Sequence, residues 1–308
     1  MENAKRNFVK LITEICEEQG LSLTSYSFDW IFSVERPGGK RGFLTGYQFG
    51  LNPASVALLC CDKSAASEVM TSLGIPNVEH HFFMSPANRK FAAKTGDWER
   101  MLGLLKKYGI LVCKDNDGTG GNLVFTARTP YELEGAAYRI FGESKSMAIS
   151  PYCEIEKEYR VIVLNGDIRL VYYKQRPSVT GDGVKTLAEL IAARSPERLS
   201  CSELPLPLAF VPADGEEVLL NWRHNLGQGA RAVVERNAPG KLLDVVNEVI
   251  KKLGVRFASV DVVRCKEEYK VLEINSGVML EAFSAQDESS YETAKGIYRD
   301  AILAMLEE

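Results

Sequence analysis

The chain has 308 residues, 45% hydrophobic and 25% charged, enough apolar material to bury a full core, which excludes a disordered chain or a disulfide-dependent miniprotein. Its 37 Lys and Arg against 41 Asp and Glu leave a formal charge of -4, so no global basic field exists to hold a nucleic acid backbone. At about 150 residues per domain, the length suggests two domains or one large α/β domain with an attached lobe.

Phe8, Leu11, Ile12 and Ile15 recur at helical spacing, which predicts an amphipathic helix over residues 3–18 stopped by Gly20. Residues 21–34 alternate as a strand, the Pro37-Gly38-Gly39 turn interrupts, and strand resumes over 42–49, giving a small α+β lobe that ends near Cys61. Asp62 is placed to cap a second helix running to Leu73, with Gly74 and Pro76 ending it. A helix over 98–108 ends at Gly109. Strands follow over 110–114 and 123–127, joined by a Gly-rich turn at 115–122. With a helix over 130–141 and a strand over 147–152 they make a compact β-β-α-β unit of a kind that moves as a lid.

Strands over 158–164 and 167–174 turn about Asn165-Gly166. A helix over 186–193, a Pro-broken loop over 195–212, a strand over 217–222 and a polar loop over 223–231 come next. A helix over 241–253, strands over 257–264 and 269–275 and a final helix over 289–306 complete the chain, with no internal repeat. No apolar stretch approaches the roughly 20 residues that cross a bilayer. Residues 1–10 lack the pattern of a signal peptide, so a cytoplasmic location without membrane partners is expected. Seven cysteines, scattered and without a C-x-x-C, read as reduced and mostly buried.

Phosphate chemistry needs a cation and converging backbone N–H groups, and Lys114 with Gly118, Gly120 and Gly121 supplies both at one hairpin tip. Taken alone, that turn reads as an ordinary flexible hairpin tip. No G-x-x-x-x-G-K-[ST] occurs, which excludes a P-loop. Glu273 and Asn275 lie two apart on one strand and so share a face, and Asp261 lies on the strand before. If Asp261 faces Val271 or Glu273 across the ladder, the three make an oxygen cluster suited to Mg2+ carried by nucleotide phosphates. Adjacent His80 and His81 point to opposite faces of an extended segment, so a metal held by both is not expected. Trp30, Arg36 and Arg41 read as packing and surface charge.

In order, these segments resemble the ATP-grasp superfamily over roughly residues 60–308, particularly cyanophycin synthetase, the glutathione synthetases and the ligases that glutamylate a ribosomal protein. Asp62-Lys63 is similar to the family's first nucleotide lysine, and Lys114 with its turn to the second, on the lid. Residues 149–152, with Ser150 and Tyr152, fit the hinge strand whose backbone takes adenine, and Glu158-Tyr159-Arg160 fits the segment whose carboxylate holds ribose. Lys174-Gln175-Arg176-Pro177 followed by Gly181-Asp182-Gly183 is the most specific match, to cyanophycin synthetase. Arg223-His224-Asn225 resembles the loop whose Arg and Asn meet the transferring phosphate, and Asp261, Glu273 and Asn275 resemble the magnesium ligands.

The resemblance implies an α+β, ATP-grasp fold with a small N-terminal α+β lobe (1–62), a mobile β-β-α-β lid subdomain (63–150) and a C-terminal mixed-sheet subdomain carrying the metal site (151–308). It further implies ATP, two Mg2+ ions for which Mn2+ could substitute, small-molecule carboxylate and amine substrates, and a homodimer. The expected chemistry is ligation through an acyl phosphate. A silent ATP-binding regulator and a phosphotransferase acting on a hydroxyl are the alternatives.

Overall fold

The computed structural model describes residues 6–91, 96–194 and 206–307. Residues 195–205 of the loop expected over 195–212 and the first residues of the expected N-terminal helix, 3–5, lie outside them. The chain divides into two compact units, Met1–Tyr172 with Val234–Glu308, and Tyr173–Val233.

In the first unit, α1 (Asn7–Glu18) buries Phe8, Leu11, Ile12 and Ile15, the face its spacing foretold. No side chain of its own caps it. The Glu281 carboxylate instead accepts from the amides of Asn7 at 3.0 Å and Phe8 at 3.1 Å, satisfying donors that a helix start leaves open. Strands β1 (Ser22–Tyr26), β2 (Ile31–Glu35) and β3 (Arg41–Thr45) form an antiparallel sheet in that order. Two expectations are corrected here. Residues 21–34 are a hairpin, because Ser27, Phe28 and Asp29 take φ of 52°, 56° and 62° in succession and reverse the chain. The later strand stops at Thr45, where Gly46 turns left-handed at φ 59°.

The short helix α2 (Ala54–Cys61) was not anticipated; α3 (Lys63–Ser72) begins where expected, with the Asp62 side chain accepting from the Ala65 amide at 2.8 Å. Next come β4 (His81–Met84), α4 (Trp98–Tyr108), β5 (Leu111–Asp115), β6 (Val124–Ala127), α5 (Pro130–Glu143) and β7 (Ser146–Pro151). The strands pair antiparallel in the order β4-β7-β5-β6. One face of this sheet packs Phe83, Leu111, Cys113, Met147 and Ile149 against Met101, Leu104, Leu133 and Ile140 of α4 and α5. Alternation sends Phe82, Ala148 and Lys114, aligned across three strands, to the other face.

Strands β8 (Lys157–Leu164) and β9 (Asp167–Gln175) turn at Asn165 and Gly166, with φ of 51° and 93°. β9 runs on into the second unit, where β10 (Ser178–Thr180) pairs antiparallel with β11 (Glu217–Leu219) beside α6 (Leu187–Arg194) over a core of Val179, Leu187, Ile191, Val218 and Leu220. The strand expected to reach residue 222 ends at Leu219, and the polar loop after it holds a single turn of 3-10 helix, Leu226–Gln228. A Cβ on Gly181 would meet the Ala213 carbonyl oxygen at 2.2 Å, so only glycine allows the backbones to approach there.

After β12 (Arg231–Val234), the first unit resumes with α7 (Gly240–Leu253), β13 (Phe257–Cys265) and β14 (Glu268–Asn275). These strands extend a sheet in the order β9-β8-β13-β14, and Lys266 and Glu267, at φ 47° and 65°, form its last tight turn. The short α8 (Glu281–Ser284) and the long α9 (Glu288–Glu307) end the unit. Among the described residues no helix is long and apolar enough to cross a membrane.

Candidate active site

The start of α3 is tied to the turn between β5 and β6. The Asn116 carboxamide oxygen accepts from the Ser64 amide at 3.1 Å and from its hydroxyl, and Lys63 Nζ donates to the carbonyls of Asn116 at 3.2 Å and Gly118 at 2.5 Å. A Cβ on Gly118 would sit 2.7 Å from that of Asp115, while Gly120 and Gly121 turn left-handed at φ 73° and 74°. Lys114, at the end of β5, is 8% exposed. Burial pulls its ammonium pKa down to about 8 against the opposing pull of Glu273 and Glu158, and neighbouring Lys63 pushes it further down. These four charged side chains therefore share one neighbourhood. Burial, then Asp62 and Asp115, raises the carboxyl of Asp117 in the same turn.

The register condition set by the sequence is met, because Glu273 stands directly opposite Asp261 and Ser259 opposite Asn275. Val260 and Ile274 pair in the core on the reverse face. Asn275 Nδ2 lies 3.4 Å from Glu273 Oε1. Asp261 is 1% exposed and also faces Arg160 of β8, whose Nε and Nη2 donate to its two oxygens at 2.7 Å each. Burial weakens the Arg160 charge, but Asp261 outweighs it and holds the guanidinium protonated.

Glu158, at the start of β8, is buried, as is Ser150 on β7. Ser150 pairs with Val112, and the amide of Tyr152 donates to the Ile110 carbonyl at 3.0 Å.

Lys174, Arg176, Arg223 and Asn225 belong to the second unit. Lys174 and His224 are buried there, and burial with the charges of Arg176 and Lys174 holds the His224 imidazole neutral, its pKa about 4. The Arg223 guanidinium carbon lies 5.0 Å from the Trp222 ring centre, and its amide donates to Asn221 Oδ1 at 2.9 Å. Asn225 Oδ1 accepts from the Gly227 amide at 2.8 Å. The unit thus gathers cationic groups suited to an anion.

The residues fit a magnesium ion brought by a nucleotide. Among the described residues, no group of three or more His, Cys, Asp or Glu side chains could cage a metal unaided. Mg2+ is commonly held by one or two carboxylates together with substrate phosphates, and Asp261, Glu273 and the Asn275 carboxamide offer only oxygen.

Sequence reasoning missed three features: Asn116 as the clamp on α3, Arg160 as the partner of Asp261, and His80, buried beside Lys114. The first two depend on pairing between segments distant in the chain. His80 carried a signal, since an unusual polar residue directly before a strand takes the face of every second residue after it.

No family model matches the chain. It is similar to the glutathione biosynthesis bifunctional protein GshAB of Enterococcus faecalis (strain ATCC 700802 / V583), 25% identical over 166 residues covering 54% of this chain and 21% of that protein. It is likewise 25% identical to cyanophycin synthetase of Synechocystis sp. (strain ATCC 27184 / PCC 6803 / Kazusa) over 254 residues, 74% of this chain and 27% of that one. The chain thus spans about a quarter of the length of these curated relatives. Among solved structures, a bifunctional glutathione synthetase from Pasteurella multocida superposes with a TM-score of 0.58 at 15% identity, covering 96% of this chain and 44% of that one. With its antiparallel sheets, helices and strand order as described, the chain has an ATP-grasp fold.

Proposed function

We propose that the chain is an ATP-dependent ligase that joins a carboxylate to an amine, on amino acids or a peptide, through an acyl phosphate, releasing ADP and phosphate. The observation that carries this reading is the convergence of Lys63, Lys114, Glu158 and Glu273 beside a glycine-bearing turn. A carboxylate does not condense with an amine unaided, because its oxygen is a poor leaving group, and phosphorylation makes that oxygen leave.

In this reading Lys63 and Lys114 bind the phosphates and offset their charge, and Gly118, Gly120 and Gly121 let the turn approach them. The backbone of the strand segment that carries Ser150 and Tyr152 takes adenine, Glu158 takes the ribose, and Lys174 and Arg176 complete the nucleotide contacts. Arg223, forked and permanently charged, and Asn225 act on the transferring phosphate. Asp261, Glu273 and Asn275 would hold magnesium, as two ions, with Mn2+ a workable substitute. When bound, magnesium neutralises charge on the phosphate oxygens. The lid subdomain (63–150) closes to keep water from the acyl phosphate, between the lobe at 1–62 and the C-terminal subdomain at 151–308. The remaining parts of this reading are a homodimer and a cytoplasmic location.

The test is ADP formation from ATP and Mg2+ with pairs of amino acids. Ligation requires both a carboxylate and an amine. A stable phosphoester formed on a hydroxyl would replace this reading with a phosphotransferase, and ATP binding with no ADP from any pair would replace it with a regulator.

A further inference from the structure

Asn116 directly follows β5 and is 1% exposed. Its amide donates to the Ser146 carbonyl of β7 at 3.4 Å, and its Nδ2 donates to Asp117 Oδ1 at 3.1 Å. Its two oxygens serve α3. The backbone carbonyl accepts from the Lys63 amide at 3.3 Å, and Oδ1 accepts from the Ser64 amide at 3.1 Å and from the Ser64 hydroxyl. The next amide, of Ala65, donates to Asp62 Oδ1 at 2.8 Å. A helix start leaves its first amides open, and here acceptors of the protein itself meet the first three. The start of α3 therefore reaches a phosphate through the Lys63 side chain and not through its backbone.

The same turn holds that side chain. Lys63 Nζ donates to the carbonyls of Asn116 at 3.2 Å and Gly118 at 2.5 Å, and Lys114, two residues before Asn116, lies close enough to feel its charge. Two ammonium groups repel, so keeping both in one neighbourhood requires a hold that does not depend on their charge. The buried bonds from Ser64 to Asn116 supply it, joining the helix of one lysine to the hairpin of the other. A polyphosphate carries anionic oxygens on successive phosphorus atoms, which two fixed ammonium groups suit.

We infer that Asn116 is a positioning residue for triphosphate binding: its carboxamide oxygen, by holding Ser64, sets the Lys63 ammonium against Lys114 so that one polyphosphate meets both. This rests on the nucleotide reading above and adds to it a residue that acts through Lys63 and not on the ligand.

A double-mutant cycle read by calorimetric titration with ATP and Mg2+ tests it. Asn116→Ala keeps the backbone carbonyls that meet Lys63 and removes the carboxamide that holds Ser64. It should weaken ATP by about 2- to 150-fold, the coupling range within one hydrogen-bond network, and by no more than Lys63→Ala does. In the Lys63→Ala background the same change should leave ATP affinity where it is, because no ammonium remains to be placed. A merely structural role would weaken ATP equally in both backgrounds.

Equal losses in the two backgrounds, or parent-like affinity in Asn116→Ala, overturn the inference and leave the nucleotide site standing. Parent-like affinity in Lys63→Ala takes Lys63 out of the site and the inference with it. A parent that binds no ATP overturns the nucleotide reading itself, on which the inference depends. If Asn116→Ala does not fold, Ser64→Ala, which deletes only the hydroxyl donor to Asn116, takes its place. It should cost about 2- to 12-fold with Lys63 present, the range for one neutral hydrogen bond, and nothing without it. Parent-like affinity in Ser64→Ala, or the same loss with and without Lys63, would then overturn the inference.

Discussion

Arg160 holds both carboxylate oxygens of Asp261 from the neighbouring strand, through Nε and Nη2 at 2.7 Å each. Removing one member of such a pair strands a charge in the interior, while removing both does not. Arg160→Leu should lower folding stability by about 3–5 kcal/mol. The double variant Arg160→Leu with Asp261→Leu should lose far less than the sum of the single losses. Denaturant unfolding of the four proteins measures this, and simple additivity would show that the two side chains do not act as a pair.

Glu273 stands opposite Asp261, and the two with Asn275 are the proposed magnesium donors. Glu273→Gln keeps the shape and one oxygen acceptor but removes the charge that favours a divalent cation. The Mg2+ concentration for half-maximal ADP formation should rise by about tenfold or more. An unchanged magnesium dependence would remove Glu273 from the metal site.

Lys114 is charged below its pKa of about 8 and neutral above it, burial being the main cause of the lowering. Its attraction for phosphate is then present at pH 7 and fades as pH rises through 8, so ATP affinity should fall between pH 7 and 9. Lys114→Arg, charged throughout, should flatten that slope. Lys114→Ala and Lys63→Ala should each weaken ATP by roughly 10- to 150-fold, the scale of one charge-assisted hydrogen bond. The linkage to folding has the opposite sense. The folded state favours the neutral amine, so this residue's contribution to stability improves as pH rises between about 8 and the unfolded value of roughly 10.4. Calorimetric ATP titrations across pH check the first claim, and pH-dependent unfolding checks the second.

The sequence reveals most where local rules act alone. The bounds of α4 are those that the periodicity from Trp98 and the stop at Gly109 predict, and the Asn165-Gly166 turn falls where its backbone preference requires. The candidate metal row was legible because a period of two fixes which residues share a face, needing only the register that sets Glu273 opposite Asp261. The hairpin at Ser27, Phe28 and Asp29 was hidden because none of these residues is glycine, although all three turn left-handed. Arg160 was hidden for another reason, since its role depends on which side chain faces it across a sheet.

Arg223 separates a ligase from a regulator. Its guanidinium carbon lies 5.0 Å from the Trp222 ring centre, in a unit that also gathers Lys174 and Arg176. If it meets charge that grows during phosphoryl transfer, Arg223→Ala should leave ATP affinity within a few-fold and lower turnover by about 100-fold or more. If it only holds ground-state phosphate, the loss should appear in affinity, and the parent should release no phosphate in response to an amine. Arg223→Lys sharpens the test, because it keeps the charge and removes the planar fork, which a two-pronged contact does not tolerate. Turnover measured with a productive carboxylate and amine pair, alongside ATP affinity, decides between these outcomes. Parent-like turnover in Arg223→Lys would mean that a single point charge suffices at this position.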